Sequence, residues 1–366
     1  MISPRIEVDL AAIEHNARTL VSRLAKRGIA VTGVTKATLG SPDIAKAMVR
    51  GGVTRLGDSR VENLEALREA GLRVPLMLLR SPAPEWADRA VAAANASLVS
   101  DLDVVAALSA AAGRRAATHG IILMVELGDL REGVMIADAL DAARVISRTR
   151  HLVLAGLGAN LACRSGVIPG DDQMQQLSAV AGTVRSMFGG SEPVITGGNS
   201  ANLSWALGRG RVGAINDLRL GESILLGLDP LTRTPIEGLK TDAFTVVAPV
   251  IESLTKPSAP WGVRGQSAFG MVPPSTERGT IVQTIVALGR QDVEPDGLTA
   301  PVGVRILDAS SDHLVLETPA RLAAGTEVRF GVDYAALLRA MSSPFVAERI
   351  VSDFTTASAP RGRRAT

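Results

Sequence analysis

The sequence has 366 residues, enough for one large domain and a smaller companion, and its 39 Lys and Arg against 37 Asp and Glu leave a formal charge of +2. That balance gives no electrostatic case for nucleic acid or an anionic membrane as partner, and the arginines Arg361, Arg363 and Arg364 fall in a Ser-, Ala-, Pro- and Gly-rich ending that reads as a disordered tail over residues 351–366. The single cysteine, Cys163, excludes an internal disulfide, Met1 to Leu10 lacks the apolar core of a signal peptide, and no apolar run nears the ~20 residues that span a bilayer, so a cytoplasmic enzyme is expected.

From Arg5 to Leu226 short apolar runs alternate with amphipathic stretches. Strands are expected at Arg5–Asp9, Ile29–Thr35, Val53–Leu56, Leu76–Leu79, Ser97–Ser100, Ile121–Leu127, Leu152–Leu157 and Val194–Thr196. Helices are expected at Ala11–Lys26, Pro42–Arg50, Val61–Ala70, Trp86–Ala94, Asp138–Thr149 and Asp172–Met187. Strands separated by helices of this length imply right-handed crossovers and a parallel sheet, and about eight such units fit a closed TIM-like (β/α)8 barrel over residues 1–240. After Asp242 the pattern turns to β-rich segments, Phe244–Ser253, Thr280–Leu288, Val302–Ile306, Leu314–Glu317 and Glu327–Phe330, which predict a smaller all-β domain over 241–350. The Pro-, Gly- and Ser-rich stretch Lys256–Thr276 is a long connection inside it.

In a barrel, functional groups gather at the carboxyl ends of the strands. Lys36 closes Ile29–Thr35, where partial desolvation would lower its pKa and favour a neutral amine able to form a Schiff base; a strand-end lysine that merely snorkels is the alternative. Asp129 and Arg131 follow Ile121–Leu127, and Asn160 follows Leu152–Leu157. Gly197, Gly198, Asn199 and Ser200 precede a helical stretch, Ala201–Leu207, an arrangement that suits either a phosphate or an ordinary N-cap turn. Asp217 to Glu222 reads as a strand with a charged rim, in which alternation would turn Glu222 away from Arg219.

Ten segments in order, among them PRIEVDL, GVTKATLGSPDIAKAMVRGG, LGDSRVEN, VELGDLREGV, GLGANLACRSGVIP, GGNSAN, NDLRLGESILLG, SAFG, ALGRQDV and ASSDHLVLE, carry a resemblance to the alanine racemase superfamily of barrel-type pyridoxal 5'-phosphate enzymes. Within it the sequence is similar to the alanine/ornithine racemase-like branch, over residues 4 to about 345. The resemblance implies pyridoxal 5'-phosphate as cofactor, an amino acid as substrate, a homodimer with shared sites, and no metal. It implies that Lys36 holds the cofactor covalently, that Arg131 stands by its phenolic oxygen, and that Asn160 replaces a histidine packed on its ring. Asn199, Ser200 and the backbone at Gly221 and Glu222 would hold the phosphate. Arg219 would face the pyridine nitrogen; an always-protonated group there keeps that nitrogen unprotonated, which suits a racemase better than a decarboxylase.

One departure matters. SAFG places Phe269 where the family carries its catalytic tyrosine, and the only tyrosine, Tyr334, lies in a later helical stretch. The second proton-transfer group is therefore expected to be His313, with Asp312 orienting it or touching the substrate, in an SSDH segment resembling the loop inserted by the partner subunit; a plain tight turn between strands is the alternative for these two residues, and Cys163 and Asp292 are the other candidates. His15, His119 and His151 are expected to be solvated and away from the chemistry. Asp292 and Asp312 could receive a distal ammonium, which favours ornithine or lysine over alanine. The rival readings are a D-amino-acid aldolase or lyase on the same scaffold, which would want a metal beside the cofactor, and a cofactor-carrying protein without turnover, against which the extra β domain argues.

Overall fold

The computed structural model describes residues 4–189, 192–270 and 276–351, so the tail expected to be disordered lies, after Val351, outside the described residues. The chain starts on β1 (Arg5–Asp9), and Asp9 caps helix α1 (Leu10–Ala25) by accepting from the amides of Ala11 at 2.8 Å and Ala12 at 2.9 Å. Eight parallel strands then close a barrel in chain order: β2 (Ala30–Val34), β3 (Arg55–Asp58), β4 (Leu76–Leu78), β5 (Ala96–Val99), β6 (His119–Met124), β7 (Leu152–Gly158), β8 (Val194–Thr196) and β9 (Asp217–Leu220). The last strand returns to the first, with Thr32 opposite Arg219. These strands are short and almost wholly buried because helices cover one face and the barrel interior fills the other.

The barrel matches the expected fold, but its membership differs. β1 is not a barrel strand: it pairs antiparallel with β10 (Phe244–Pro257) of the second domain, while β9, anticipated only as a strand with a charged rim, completes the barrel. Arg5, Glu7 and Asp9 put polar groups at alternate positions of β1, which suits a sheet rich in complementary charges rather than an apolar barrel layer. A helix between β5 and β6, Leu102–Arg114, was also absent from the expected set; it is capped by Asp101, which accepts from the amide of Asp103 at 2.8 Å.

The second domain is built on β10, long enough to serve two ladders. Its first half lies between β1 and β15 (Glu327–Val332); beyond an irregularity at Val250/Glu252 its second half pairs with β11 (Thr280–Val286), and the sheet continues through β14 (Leu314–Thr318) to β13 (Arg305–Ala309). A two-residue strand, β12 (Leu298–Thr299), flanks β15, and β16 (Ala347–Val351) pairs in parallel with β1. The domain is not purely β, since helix Tyr334–Ser342 is packed into it. Among the described residues no helix is long and apolar enough to cross a membrane.

Charge ties the first strand to this sheet. Arg5 makes two hydrogen bonds to Glu327, at 2.7 and 2.8 Å, and one to Glu7 at 2.8 Å, while Arg329 also donates to Glu7. Burial pushes the Glu7 carboxyl up, but the hydrogen bonds from Arg329 and Arg5 outweigh it and hold the group below the usual carboxylate range. A carboxylate whose folded-state pKa is depressed contributes stability above its unfolded pKa and loses it as pH falls through the folded value. Glu7→Gln is therefore expected to cost about 1–3 kcal/mol at pH 7, with the gap between variant and wild type closing as the pH drops below about 4. Equal denaturation midpoints at pH 7 would show that the cluster does not stabilise the fold.

His119 corrects another expectation. It opens β6 but is buried, bonds through Nε2 to the Ser97 hydroxyl at 2.9 Å, and burial pushes its pKa down to about 4, so it is a neutral interior residue rather than a solvated one.

Candidate active site

A cavity of about 680 Å³ opens at the carboxyl ends of the barrel strands. Nine expected residues line it from five strand ends: Lys36 after β2, Arg131 after β6, Asn160 and Cys163 after β7, Asn199 and Ser200 after β8, and Arg219, Gly221 and Glu222 on or after β9.

Lys36 begins a one-turn 3-10 helix, Lys36–Thr38. The turn is seated on a buried carboxylate: Asp58 Oδ2 accepts from the Thr35 hydroxyl at 2.7 Å, and Oδ1 accepts from the amide of Arg60 at 2.9 Å and from Asn63 Nδ2 at 3.0 Å. Burial pushes Asp58 up, against these hydrogen bonds. The turn closes on Leu39 and Gly40, both with positive φ; a Cβ on Gly40 would come within 2.7 Å of Asn63 Cβ, so only glycine fits there. Lys36 itself is exposed toward the cavity, not desolvated as its strand-end position suggested, because the apolar run stops one residue earlier.

The loop after β6 is organised by two acids. Glu126 accepts from the amide of Gly128 at 2.5 Å and of Arg131 at 3.2 Å, and buried Asp129 accepts from the amides of Arg164 and Ser165, both at 3.0 Å. Asp129 thus pins the Cys163 loop beside the Arg131 loop. The Arg131 guanidinium donates twice to Glu132, which raises its pKa. Asn199 Nδ2 donates to the Leu161 carbonyl at 2.8 Å and to Cys163 Sγ at 3.4 Å and stands 3.1 Å from the Asn160 side-chain amide, so Asn160, Cys163 and Asn199 form one connected group.

Arg219 is buried beneath the cavity floor. Its Nη1 donates to Thr196 Oγ1 and its Nη2 to the Ala159 carbonyl, both at 2.7 Å, and among the described residues its Nε bonds to no protein atom. Burial pushes its pKa down, opposed by the charge of Asp217. Buried Ser200 accepts from the Ser223 hydroxyl at 3.0 Å and from the Ser223 amide at 3.3 Å. Glu222 does not turn away from Arg219 as strand alternation predicted: β9 ends at Leu220, Glu222 opens the short helix Glu222–Leu226, and it faces the same cavity, paired with Arg233. Burial raises its pKa, opposed by Arg233.

Sequence reasoning passed over Tyr334. Although it opens a helix of the second domain, it lines this cavity, and burial, followed by the charge of Glu222, pushes its pKa up to about 12. Arg80, Glu132 and Arg233 were also missed; their only signal was a charged residue within a few positions of a strand end or of a recognised motif residue.

The three remaining candidates do not line the cavity of their own chain. Asp292 is buried in the second domain and accepts from the Gly289 amide at 3.1 Å and the Ser343 hydroxyl at 3.0 Å, so it holds a turn together and is closed to a substrate ammonium. Asp312 and His313 form the exposed turn between β13 and β14, with His313 Nδ1 2.9 Å from Asp312 Oδ1; that hydrogen bond lowers the Asp312 pKa. The SSDH turn is bonded to ALGRQDV, Arg290 and Gln291 donating to the Ser310 and Ser311 carbonyls at 2.9 Å each, and Gly289 is required because a Cβ there would lie 2.3 Å from Asp312 Cα. The Arg290 guanidinium stands 5.1 Å from the centre of the Phe269 ring. SAFG, ALGRQDV and SSDH therefore gather in one patch of the second domain.

Residues 8–230 match the family model described as the alanine racemase N-terminal domain. The chain belongs to the alanine racemase family. It is 37% identical over 351 residues to a lysine racemase of Thermotoga maritima, covering 94% of this chain and 98% of that one, and 32% identical over 355 residues to an ornithine racemase of Acetoanaerobium sticklandii, covering 95% and 99%. Among solved structures, an alanine racemase from Streptomyces coelicolor superposes with a TM-score of 0.76 at 22% identity, over 96% of this chain and 98% of that one. A histidine racemase from Leuconostoc mesenteroides superposes with a TM-score of 0.69 at 17% identity, over 96% and 98%. Full-length similarity to racemases of the same family makes this chain an amino-acid racemase, and the family is generally pyridoxal 5'-phosphate-dependent.

Proposed function

We propose that the chain is a pyridoxal 5'-phosphate-dependent racemase of a basic amino acid, lysine or ornithine before alanine, working in the cytoplasm as a homodimer. The observation that carries the cofactor reading is the donor set of the cavity, where Lys36, Arg80, Arg131, Arg219 and Arg233 face only two carboxylates, Glu132 and Glu222. Such an excess of fixed cations fits a ligand bearing a phosphate, a phenolate and a bound carboxylate. Lys36 would hold the cofactor covalently, Ser200 with the backbone at Gly221 and Glu222 would hold its phosphate with Asn199 supporting that turn, Arg131 would face its phenolic oxygen with Asn160 beside the ring, and Arg219 would present Nε–H to its ring nitrogen. Tyr334, kept protonated by burial, would donate to the phosphate. When bound, the cofactor supplies an electron sink next to the substrate α-carbon.

The residues of the chain then divide the work of proton transfer. Lys36 removes and returns the α-proton on one face, and Asp129 and Glu126 fix the loops that close the other side of the cavity. For the opposite face, the exposed Asp312–His313 turn of a second copy is the group of choice: it lies beside Phe269 and Arg290 on a patch its own cavity does not use. Cys163 is the alternative within the chain. The similarity to a lysine racemase and an ornithine racemase supports a basic side chain as substrate, and a distal ammonium would meet Glu132 or the second copy's Asp312, not Asp292.

Three measurements test this. Borohydride reduction of the purified protein, followed by peptide mapping, is expected to fix the visible chromophore on Lys36; label on Lys46 or another lysine overturns the assignment. In deuterated water, His313→Ala is expected to exchange the α-proton of one lysine enantiomer only, with racemisation reduced about 10²- to 10⁴-fold. Undiminished racemisation would move the second base to Cys163. A panel of L-amino acids scored by chiral chromatography, with lysine and ornithine turned over faster than alanine, checks the substrate class.

A further inference from the structure

A second concavity, of about 600 Å³, lies away from the cavity and shares none of its lining residues. It is formed by two helix-to-strand connections, Lys26 and Arg27 leading from α1 into β2, and Arg209 to Gly213 leading toward β9. Lys26, Arg27, Arg209 and Arg211 line it, and no carboxylate does. Among the described residues none of these four cations is paired with a carboxylate, although the chain as a whole is nearly neutral.

The pocket is also built, not merely charged. Arg27 Nη2 donates to the Gly210 carbonyl, which holds the loop against the end of α1, and Arg27 Nε is buried with no hydrogen-bond partner. An orphaned guanidinium N–H inside protein costs free energy unless something accepts from it. The amides of residues 209 to 213 make no hydrogen bond to protein among the described residues, so the glycine-spaced run Gly208-Arg209-Gly210-Arg211-Val212-Gly213 offers backbone donors beside its two arginines. The loop is fixed at its far end, where the Ala214 amide donates to Ser178 Oγ at 3.0 Å and a Cβ on Gly213 would lie 2.4 Å from that oxygen.

We propose that this pocket binds a small phosphate-bearing anion, inorganic phosphate or pyrophosphate or the phosphate of a metabolite ester, at a site separate from the cofactor cavity. Planar guanidinium groups gathered with no carboxylate among the lining residues, the nearby Asp171 being engaged by Trp205, match tetrahedral oxyanions, and the pocket is too small and its cations too few to track a nucleic-acid backbone. The inference does not depend on the racemase reading.

The chain carries its own reporter. Trp205 Nε1 donates to Asp171 Oδ1 at 2.9 Å, and a Cβ on Gly210 would lie 3.0 Å from that same oxygen, so the indole abuts the loop that would close on the anion. In cofactor-loaded protein carrying W86F and W261F, titration with phosphate, pyrophosphate and glycerol 3-phosphate is expected to give a saturable Trp205 response. The relative affinities separate a free anion from an ester. R209S/R211S, two exposed positions outside the cavity, should weaken binding at least about tenfold while leaving the melting temperature and the racemisation rate in anion-free buffer unchanged. The absence of saturation up to about 10 mM, an equal affinity in the double variant, or a chloride response equal to that of pyrophosphate at matched ionic strength would overturn the proposal.

Discussion

Replacing Lys36 by alanine is expected to lower racemisation at least about a thousandfold and to leave the stability of the fold within about 0.5 kcal/mol of wild type. The two halves of that expectation come from different parts of the structure. The turn that carries Lys36 is held by the Thr35–Asp58–Asn63 hydrogen bonds and by Gly40, none of which involves the lysine side chain. Lys36 is exposed into the cavity and among the described residues its amine bonds to no protein group, so its loss creates no buried cavity and strands no partner. Partial recovery of activity with a small primary amine in the buffer would separate lost chemistry from lost structure. A variant that retains a tenth of the wild-type rate would show that the α-proton is moved by another group.

Arg219→Glu is expected to do the reverse, damaging fold and chemistry together. The guanidinium is buried, and its two terminal nitrogens satisfy Thr196 Oγ1 and the Ala159 carbonyl. A carboxylate there would face that carbonyl, and it would lie near Asp217, itself fully buried, with one oxygen already lacking a partner. Removing one side of such a buried charge arrangement costs about 3–5 kcal/mol, so a fall in denaturation midpoint should accompany slower racemisation and a shifted absorbance of the bound cofactor. Arg219→Lys keeps the positive charge but not the planar fork; it should recover much of the stability and less of the rate. Unchanged spectra and rates in Arg219→Glu would remove the ring-nitrogen contact from the proposed site.

Much of the site was legible because its residues follow short apolar strands, and the carboxyl ends of parallel barrel strands point to one mouth. Lys36, Asn160 and Ser200 needed only the strand positions to be placed together, and Arg131 only its loop. Glu222 was misjudged because the end of β9 at Leu220 leaves no mark in the local pattern, and a strand's alternation was extended into a helix. Asp292 looked available for a substrate because a carboxylate in a loop-like run gives no sign of the Gly289 and Ser343 donors that consume it.

The sequence by itself determined the alternation of strand and helix, the β-rich second half and the strand-end polar residues, since periodicity and punctuation are local properties of the chain. Pairing is not local, and only the tertiary structure decided it. Arg5–Asp9 reads like any short strand, yet it joins β10 more than 230 residues later, where Arg329 and Glu327 meet its charges, and the barrel is closed instead by β9. Tyr334 reads as a helix residue of the second domain, and only the packing of that domain over the barrel mouth brings it into the cavity with Ser200 and Glu222. The same holds for Arg27 and Arg211, 184 positions apart, whose common pocket no spacing in the sequence announces.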